Sequence, residues 1–308
     1  MKIAILDDYQ DAVRGLECFR LLDGQDVTVV RDTREQHDLF DVEAVVLIRD
    51  RTRVDAAFLD GAPRLRVISQ TGKVGRNVDD DACRARGIEI REGSGSPVAP
   101  AELTWALVLA GMCRVTQYAE RLHVAAWQQN GLEGTPEVLG RVLAGRTLGV
   151  LGLGRIGARV AGYARAFEME VVVWGRERSL MTARDAGLRA ASSQRELFAA
   201  ADVVSLHVRL TAETAGLVSL DDLRAMPSGS LLVNTSRAEL VEPGALIVAL
   251  AEGRPAVAAL DVFDEEPAIG DPLLALPNVV ATPHIGFVER DSYELMLEAA
   301  FRNLLAES

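Results

Sequence analysis

Thr147-Leu-Gly-Val-Leu151-Gly152-Leu-Gly154-Arg155-Ile156-Gly157 decides the fold. A short, mainly apolar run leads straight into a Gly-x-Gly-x-x-Gly turn, and an Ala/Val-rich segment of helical period follows to about Phe167. A lone glycine pattern is weak evidence. Between a strand and a helix, with a second strand after it, it is the context a dinucleotide pyrophosphate requires. Gly152 permits the tight turn, Gly154 lets backbone approach phosphate, and Gly157 lets helix and strand pack closely; the helix start then turns its unpaired amides toward the anion. The alternative is a glycine-rich turn with no ligand.

On either side, short apolar runs alternate with helical periodicity, the pattern of an α/β protein with parallel sheets. One series of strands is expected at 2–6, 27–30, 44–48 and 67–69, closing near 89–90. A second is expected at 147–151, 170–174, 203–207, 230–234, 256–260 and 279–281. Residues 93–100, rich in Gly, Ser and Pro, mark a crossing between two domains; a long helix is expected over 101–129 and a loop over 130–140. The fold class is therefore α/β with two doubly wound parallel-sheet domains.

The 308 residues suit two domains, and 33 basic against 45 acidic residues leave a net charge of −12. That balance argues against nucleic-acid or membrane partners, which select basic surfaces. No long uncharged apolar run and no signal-peptide pattern occurs, so a cytoplasmic location is expected. Three scattered cysteines without a CxxC imply neither a disulfide framework nor a metal site. All of the basic residues but Lys2 and Lys73 are arginine.

Three segments end strands of the second series, where open α/β sheets bind ligands: Asn234-Thr235-Ser236-Arg237, Asp261-Val-Phe-Asp-Glu-Glu266-Pro267 and Thr282-Pro-His284-Ile-Gly286. An Arg to bind a carboxylate and polarise a carbonyl, a His to donate a proton, and a Glu to stabilise the imidazolium are what 2-oxo acid reduction needs. Singly, each has a plainer reading: Arg237 a surface charge, Glu266 one of an acidic run, His284 a hydrogen-bonded core residue. At the end of the strand after the glycine turn stands Val173-Trp174-Gly175-Arg176-Glu177-Arg178-Ser179. An NAD site places an acid there for the ribose; Gly175 followed by Arg176, Arg178 and Ser179 suits an adenosine 2′-phosphate, so NADP(H) is preferred and NAD(H) is the alternative. The competing reading makes the arginines solvated and gives the ribose to Glu177.

Across nearly its whole length the chain resembles the D-isomer-specific 2-hydroxyacid dehydrogenase family, through 70–75, 79–88, the Ala101-Glu102-Leu103-Thr104 helix start, GLGRIG, the strand ending at His207, NTSR, DVFDEEP and TPHIG. The resemblance implies Arg237, Glu266 and His284 as catalytic residues. It implies a cofactor site of Thr104, Gly152, Gly154, Arg155, Ile156, Gly157, Trp174, His207, Val208, Thr235, Ser236, Asp261 and Gly286, joined by the 175–179 segment. It further implies a discontinuous substrate domain of 1–97 plus 285–308, a Rossmann cofactor domain of 98–284 and a homodimer contacting through 101–129 and the loop after it.

The backbone of Lys73, Val74 and Gly75 is expected to hold the substrate carboxylate. Lys73 departs from the family pattern, and Arg49 and Arg51 resemble the segment with which phosphoglycerate dehydrogenase engages substrate. Together they suggest a substrate with a second anionic group; the alternative is a lysine pointing to solvent or to the cofactor. Arg209 and Phe287 are further departures, and Phe287 is expected to narrow the site. Two other functions stay open at this point: oxidation of phosphite, which the lysine would suit, and an NAD(P)H-sensing binding protein resembling the family's corepressors.

Overall fold

The computed structural model describes residues 1–34, 37–123, 127 and 139–306. The chain divides into two compact units, residues 1–96 with 287–308, and residues 97–286.

The first unit is a five-stranded parallel sheet in the order β2-β1-β3-β4-β5, from β1 (Lys2–Leu6), β2 (Asp26–Val29), β3 (Ala44–Leu47), β4 (Val67–Gln70) and β5 (Glu89–Glu92). Its central strands are apolar throughout because both faces are covered. Ile3, Ile5, Ala44 and Val46 pack with Met296, Leu297, Ala300 and Phe301 of the helix Arg290–Leu305. Ala4, Leu6, Val45 and Leu47 face Leu59, Ile68 and Cys83 in a second core. The order is that of flavodoxin-like sheets, with its reversal between β1 and β3. Asp7 and Arg49 follow those two strands in the left-handed region, at φ of 59° and 57°.

The second unit is a seven-stranded parallel sheet in the order β12-β11-β10-β9-β6-β7-β8. Its strands are β6 (Thr147–Leu151), β7 (Glu170–Trp174), β8 (Arg189–Ala190), β9 (Val203–Leu206), β10 (Leu231–Asn234), β11 (Val257–Leu260) and β12 (Val279–Ala281). The sheet reverses between β6 and β9, as in Rossmann domains, so ligand-binding loops belong at that crevice. The helices Val98–Cys113 and Arg155–Ala166 cover one face, and Gln194–Ala200, Leu220–Ala225 and Ala245–Ala251 cover the other.

The long helix expected over 101–129 is instead two helices, Val98–Cys113 and Val115–His123, bent by 68°. Arg114 between them is left-handed at φ 60°, and its amide closes the first helix on the Ala110 carbonyl. Part of the expected dimer contact, at 124–126 and 128–138, lies outside the described residues. Among the described residues no single helix is long and apolar enough to cross a membrane.

Candidate active site

The glycine turn separates what the chain's own packing needs from what it does not. Gly152 sits at φ 93°, and a Cβ there would lie 2.7 Å from the His207 carbonyl oxygen. At Gly157 a Cβ would lie 2.3 Å from the Gly152 oxygen. Both glycines are therefore required by protein atoms. Gly154 is not: a Cβ there would meet nothing within 4 Å, and its φ of −86° is ordinary. A glycine that the fold does not demand, at the N-cap of a 12-residue helix with no side-chain cap, fits a group approaching from outside. The helix places Arg155, Ile156 and Gly157 in its first turn. These residues suit a dinucleotide pyrophosphate.

At the end of β7, Gly175 lies beside Ser179, whose hydroxyl accepts from the Leu153 amide at 3.3 Å. Ser179 thus ties the helix Glu177–Asp185 to the glycine turn. Trp174 is partly buried, while Arg176 and Arg178 are exposed; Arg176 lies 3.5 Å from Glu213. Glu177 pairs with Arg184 of its own helix at 3.3 Å, which turns it along the helix.

Opposite the turn, His207 Nε2 bonds the Ser205 hydroxyl at 2.8 Å, and burial pushes the imidazole down to about 4, so the ring is neutral. The Val208 side chain also borders Gly152. After β10, the Ser236 amide donates to Asn234 and its hydroxyl to the Leu206 carbonyl, while Thr235 and Thr104 share a hydroxyl bond of 2.7 Å. The segment is fixed at each residue.

The three chemistry-bearing residues come from separate strand ends. Glu266, in the loop after β11, bonds His284 Nδ1 at 2.6 Å with one oxygen and accepts the Phe263 amide with the other. Burial by itself would raise the Glu266 pKa, but the bond and charge of His284, the Phe263 amide and the Arg237 guanidinium together hold it below the usual carboxylate value. Arg237 is thus near enough to act on Glu266; its Nη1 donates to the Ser236 carbonyl.

His284 is left-handed at φ 53°, a conformation unusual for a non-glycine residue and one that the surroundings must hold. Asp261 does so. It is 1% exposed and accepts from the Thr282 hydroxyl and the amides of Ile285 and Gly286 at 2.6–2.9 Å. Burial raises its pKa, against the pull of those bonds and of the His284 charge.

In the first unit, the Val74 amide and Lys73 Nζ both engage Glu92, at 2.8 and 2.5 Å, and the Gly75 amide reaches Asn77 Oδ1 at 3.3 Å. Arg51 donates to the Asp7 carbonyl and to Gln10, and its guanidinium lies 4.6 Å from the Tyr9 ring centroid and 5.1 Å from that of Phe287. Arg49 lies 5.7 Å from the same Phe287 ring, which stacks on Tyr293. Sequence reasoning missed Glu92, Tyr9 and Tyr293. The signal for Glu92 is the β4–β5 register, which sets it beside Gln70 at the start of the loop.

The family described as D-isomer specific 2-hydroxyacid dehydrogenase, NAD binding domain, matches residues 105–286. A glyoxylate reductase of Aeropyrum pernix is 37% identical over 282 residues, covering 91% of this chain and 82% of its own. Among solved structures, a phosphoglycerate oxidoreductase from Vibrio cholerae is 48% identical with TM-score 0.90, covering 99% of this chain and 98% of its own. A D-lactate dehydrogenase from Aquifex aeolicus, complexed with NAD and lactic acid, is 27% identical with TM-score 0.77, covering 98% and 94%. The chain belongs to the D-isomer specific 2-hydroxyacid dehydrogenase family and is an NAD-binding oxidoreductase.

Proposed function

We propose that this family member transfers a hydride between NAD(P)H and C2 of a small 2-oxo acid, with His284 as the proton donor in reduction and the acceptor in oxidation. The observation that carries this is the 2.6 Å bond between His284 Nδ1 and Glu266, with Arg237 acting on the same carboxylate. A carboxylate on Nδ1 fixes that nitrogen as N–H, so the exchangeable proton is carried on Nε2, and the resulting imidazolium is stabilised by Glu266. The nicotinamide cofactor, when bound, supplies or accepts the hydride. Arg237 binds the substrate carboxylate and polarises the carbonyl, and in the first unit the Val74 and Gly75 amides are assigned as carboxylate donors. Arg49 and Arg51, both set against Phe287, favour a substrate with a second anionic group.

NADP(H) is the preferred cofactor, supported by Gly175 where a ribose-binding acid would stand and by exposed Arg176 and Arg178 after it. Glu177, engaged with Arg184, is not set to serve the ribose. A homodimer is supported by exposed apolar side chains at Val115, Leu122, Trp127, Leu139 and Val142. The test is steady-state cofactor consumption with glyoxylate, hydroxypyruvate and 2-oxo acids carrying a second carboxylate or a phosphate, each with NADH and NADPH. Turnover is expected, higher with NADPH and with the doubly anionic acids. Absence of turnover across the panel contradicts the reading.

A further inference from the structure

We propose that Glu92 is a resident carboxylate in the anion site of the 72–77 loop, and that a substrate carboxylate gains this site by exchange with it. The inference rests on the reading of Val74 as a substrate donor. The two Glu92 oxygens are divided between donors of consecutive residues, Oε2 with Lys73 Nζ at 2.5 Å and Oε1 with the Val74 amide at 2.8 Å. An ammonium and an adjacent backbone N–H engaging one carboxylate form the donor set that a small carboxylic acid would use.

The loop does not depend on Glu92 for its shape. Gln70 Nε2 donates to the Lys73 carbonyl at 2.8 Å, and Asn77 Nδ2 donates to Gln70 Oε1 and to the Thr52 carbonyl at 3.0 and 3.2 Å. The Val54 amide closes the far side on the Asn77 carbonyl at 2.7 Å. The Lys73 side chain is 69% exposed and Glu92 is 35% exposed, so their ion pair lies in water and is weak enough to exchange. The nearby charges are Arg76, exposed within the loop itself, Arg49, against Gly72, and Asp50, which a Cβ on Gly75 would approach to 3.7 Å.

Two consequences follow. The Lys73 charge is already paired with Glu92, so an incoming ligand gains it only by bringing a carboxylate to replace the one it displaces. Glu92 therefore sets the affinity of the loop for carboxylates without touching the reacting atoms.

The experiment compares wild type, Glu92→Gln, Lys73→Met and the double variant in the full chain. It reads kcat and KM for glyoxylate and the binding of oxamate by calorimetry in the presence of cofactor. Gln keeps an oxygen for the Val74 amide but removes the competing charge. The expected result for Glu92→Gln is a fall of about 3- to 5-fold in glyoxylate KM and oxamate Kd, the scale of one exposed ion pair, with kcat within about two-fold of wild type. Lys73→Met raises both constants, and Glu92→Gln has a smaller effect in that background. If Glu92→Gln raises KM and Kd or leaves them unchanged, Glu92 is a structural latch and the exchange is overturned while the functional reading stands. If wild type turns over no 2-oxo acid, the functional reading fails and oxamate decides alone: tighter binding by Glu92→Gln upholds the exchange, and weaker, equal or no binding overturns it.

Discussion

Asp261 and Glu92 are both acids at the ends of parallel strands, and both accept backbone amides. Asp261 is 1% exposed and spends its oxygens on a hydroxyl and two amides of a single turn. Glu92 accepts one amide and shares its remaining charge with a solvated ammonium. Desolvation makes the difference. A buried carboxylate with three donors cannot let go without stranding them, so it fixes the left-handed His284 one residue from its partners. A half-exposed one can be replaced by water or another anion at little cost. The segment carrying His284 is thus held rigidly, while the carboxylate on the 72–77 loop is held by exchangeable contacts.

The same chemical change at the two positions should break this comparison if it is wrong. In Asp261→Asn one amide N–H2 must face a backbone N–H, with a cost of about 2–3 kcal/mol in unfolding free energy and a comparable loss in kcat/KM as His284 shifts. Denaturant melts and steady-state rates measure both; unchanged values would mean that Asp261 does not hold the turn. Glu92→Gln is expected to leave the denaturation midpoint unaltered.

His207 supplies the next effect. Its folded pKa lies below the unfolded value, at about 4 against 6.5. Above pH 6.5 the ring is neutral in both states and the fold carries no penalty. Between pH 6.5 and about 4 the unfolded chain takes up the proton and the native one does not, so stability falls by about 2–3 kcal/mol as pH drops through that window. His207→Asn should flatten that part of the pH–stability curve. An identical acid slope in the variant would place the titration elsewhere.

Arg237→Lys keeps the charge but loses the planar fork. A loss of about 1–2 kcal/mol in transition-state stabilisation, roughly 5- to 30-fold in kcat/KM, is expected, and full activity in the lysine variant would remove the carboxylate-binding role. The smallest effect belongs to the most exposed contact. Arg176→Ala should raise the KM for NADPH by roughly 5-fold, about 1 kcal/mol, and leave that for NADH unchanged. Equal effects on both cofactors would remove the NADP preference.

What was legible in the sequence follows the same division. β6 and its glycine turn, and the strand ends carrying Arg237, Glu266 and His284, are local: the apolar run and the polar residues closing it lie within one short segment. The break at Arg114 was not legible, because Cys113-Arg114-Val115 contains neither Gly nor Pro and the left-handed turn is imposed by packing. The two-residue β8 is too short for any periodicity to mark. Lys73 stood out by its rarity, yet its partner did not, since Glu92 reaches it only through the pairing of β4 with β5. Phe287 is a bulky departure in the sequence; its position against Arg49 and Arg51 needs two distant chain segments, 49–51 and 287–293, brought together by the first unit.

The central claim, that His284 carries the proton for 2-oxo acid reduction, is tested most directly by cofactor-saturated turnover of glyoxylate by His284→Asn beside wild type, with cofactor binding checked by fluorescence. A fall in kcat of about 10²- to 10⁴-fold with cofactor binding intact is predicted. Wild-type turnover by the asparagine variant would contradict the account.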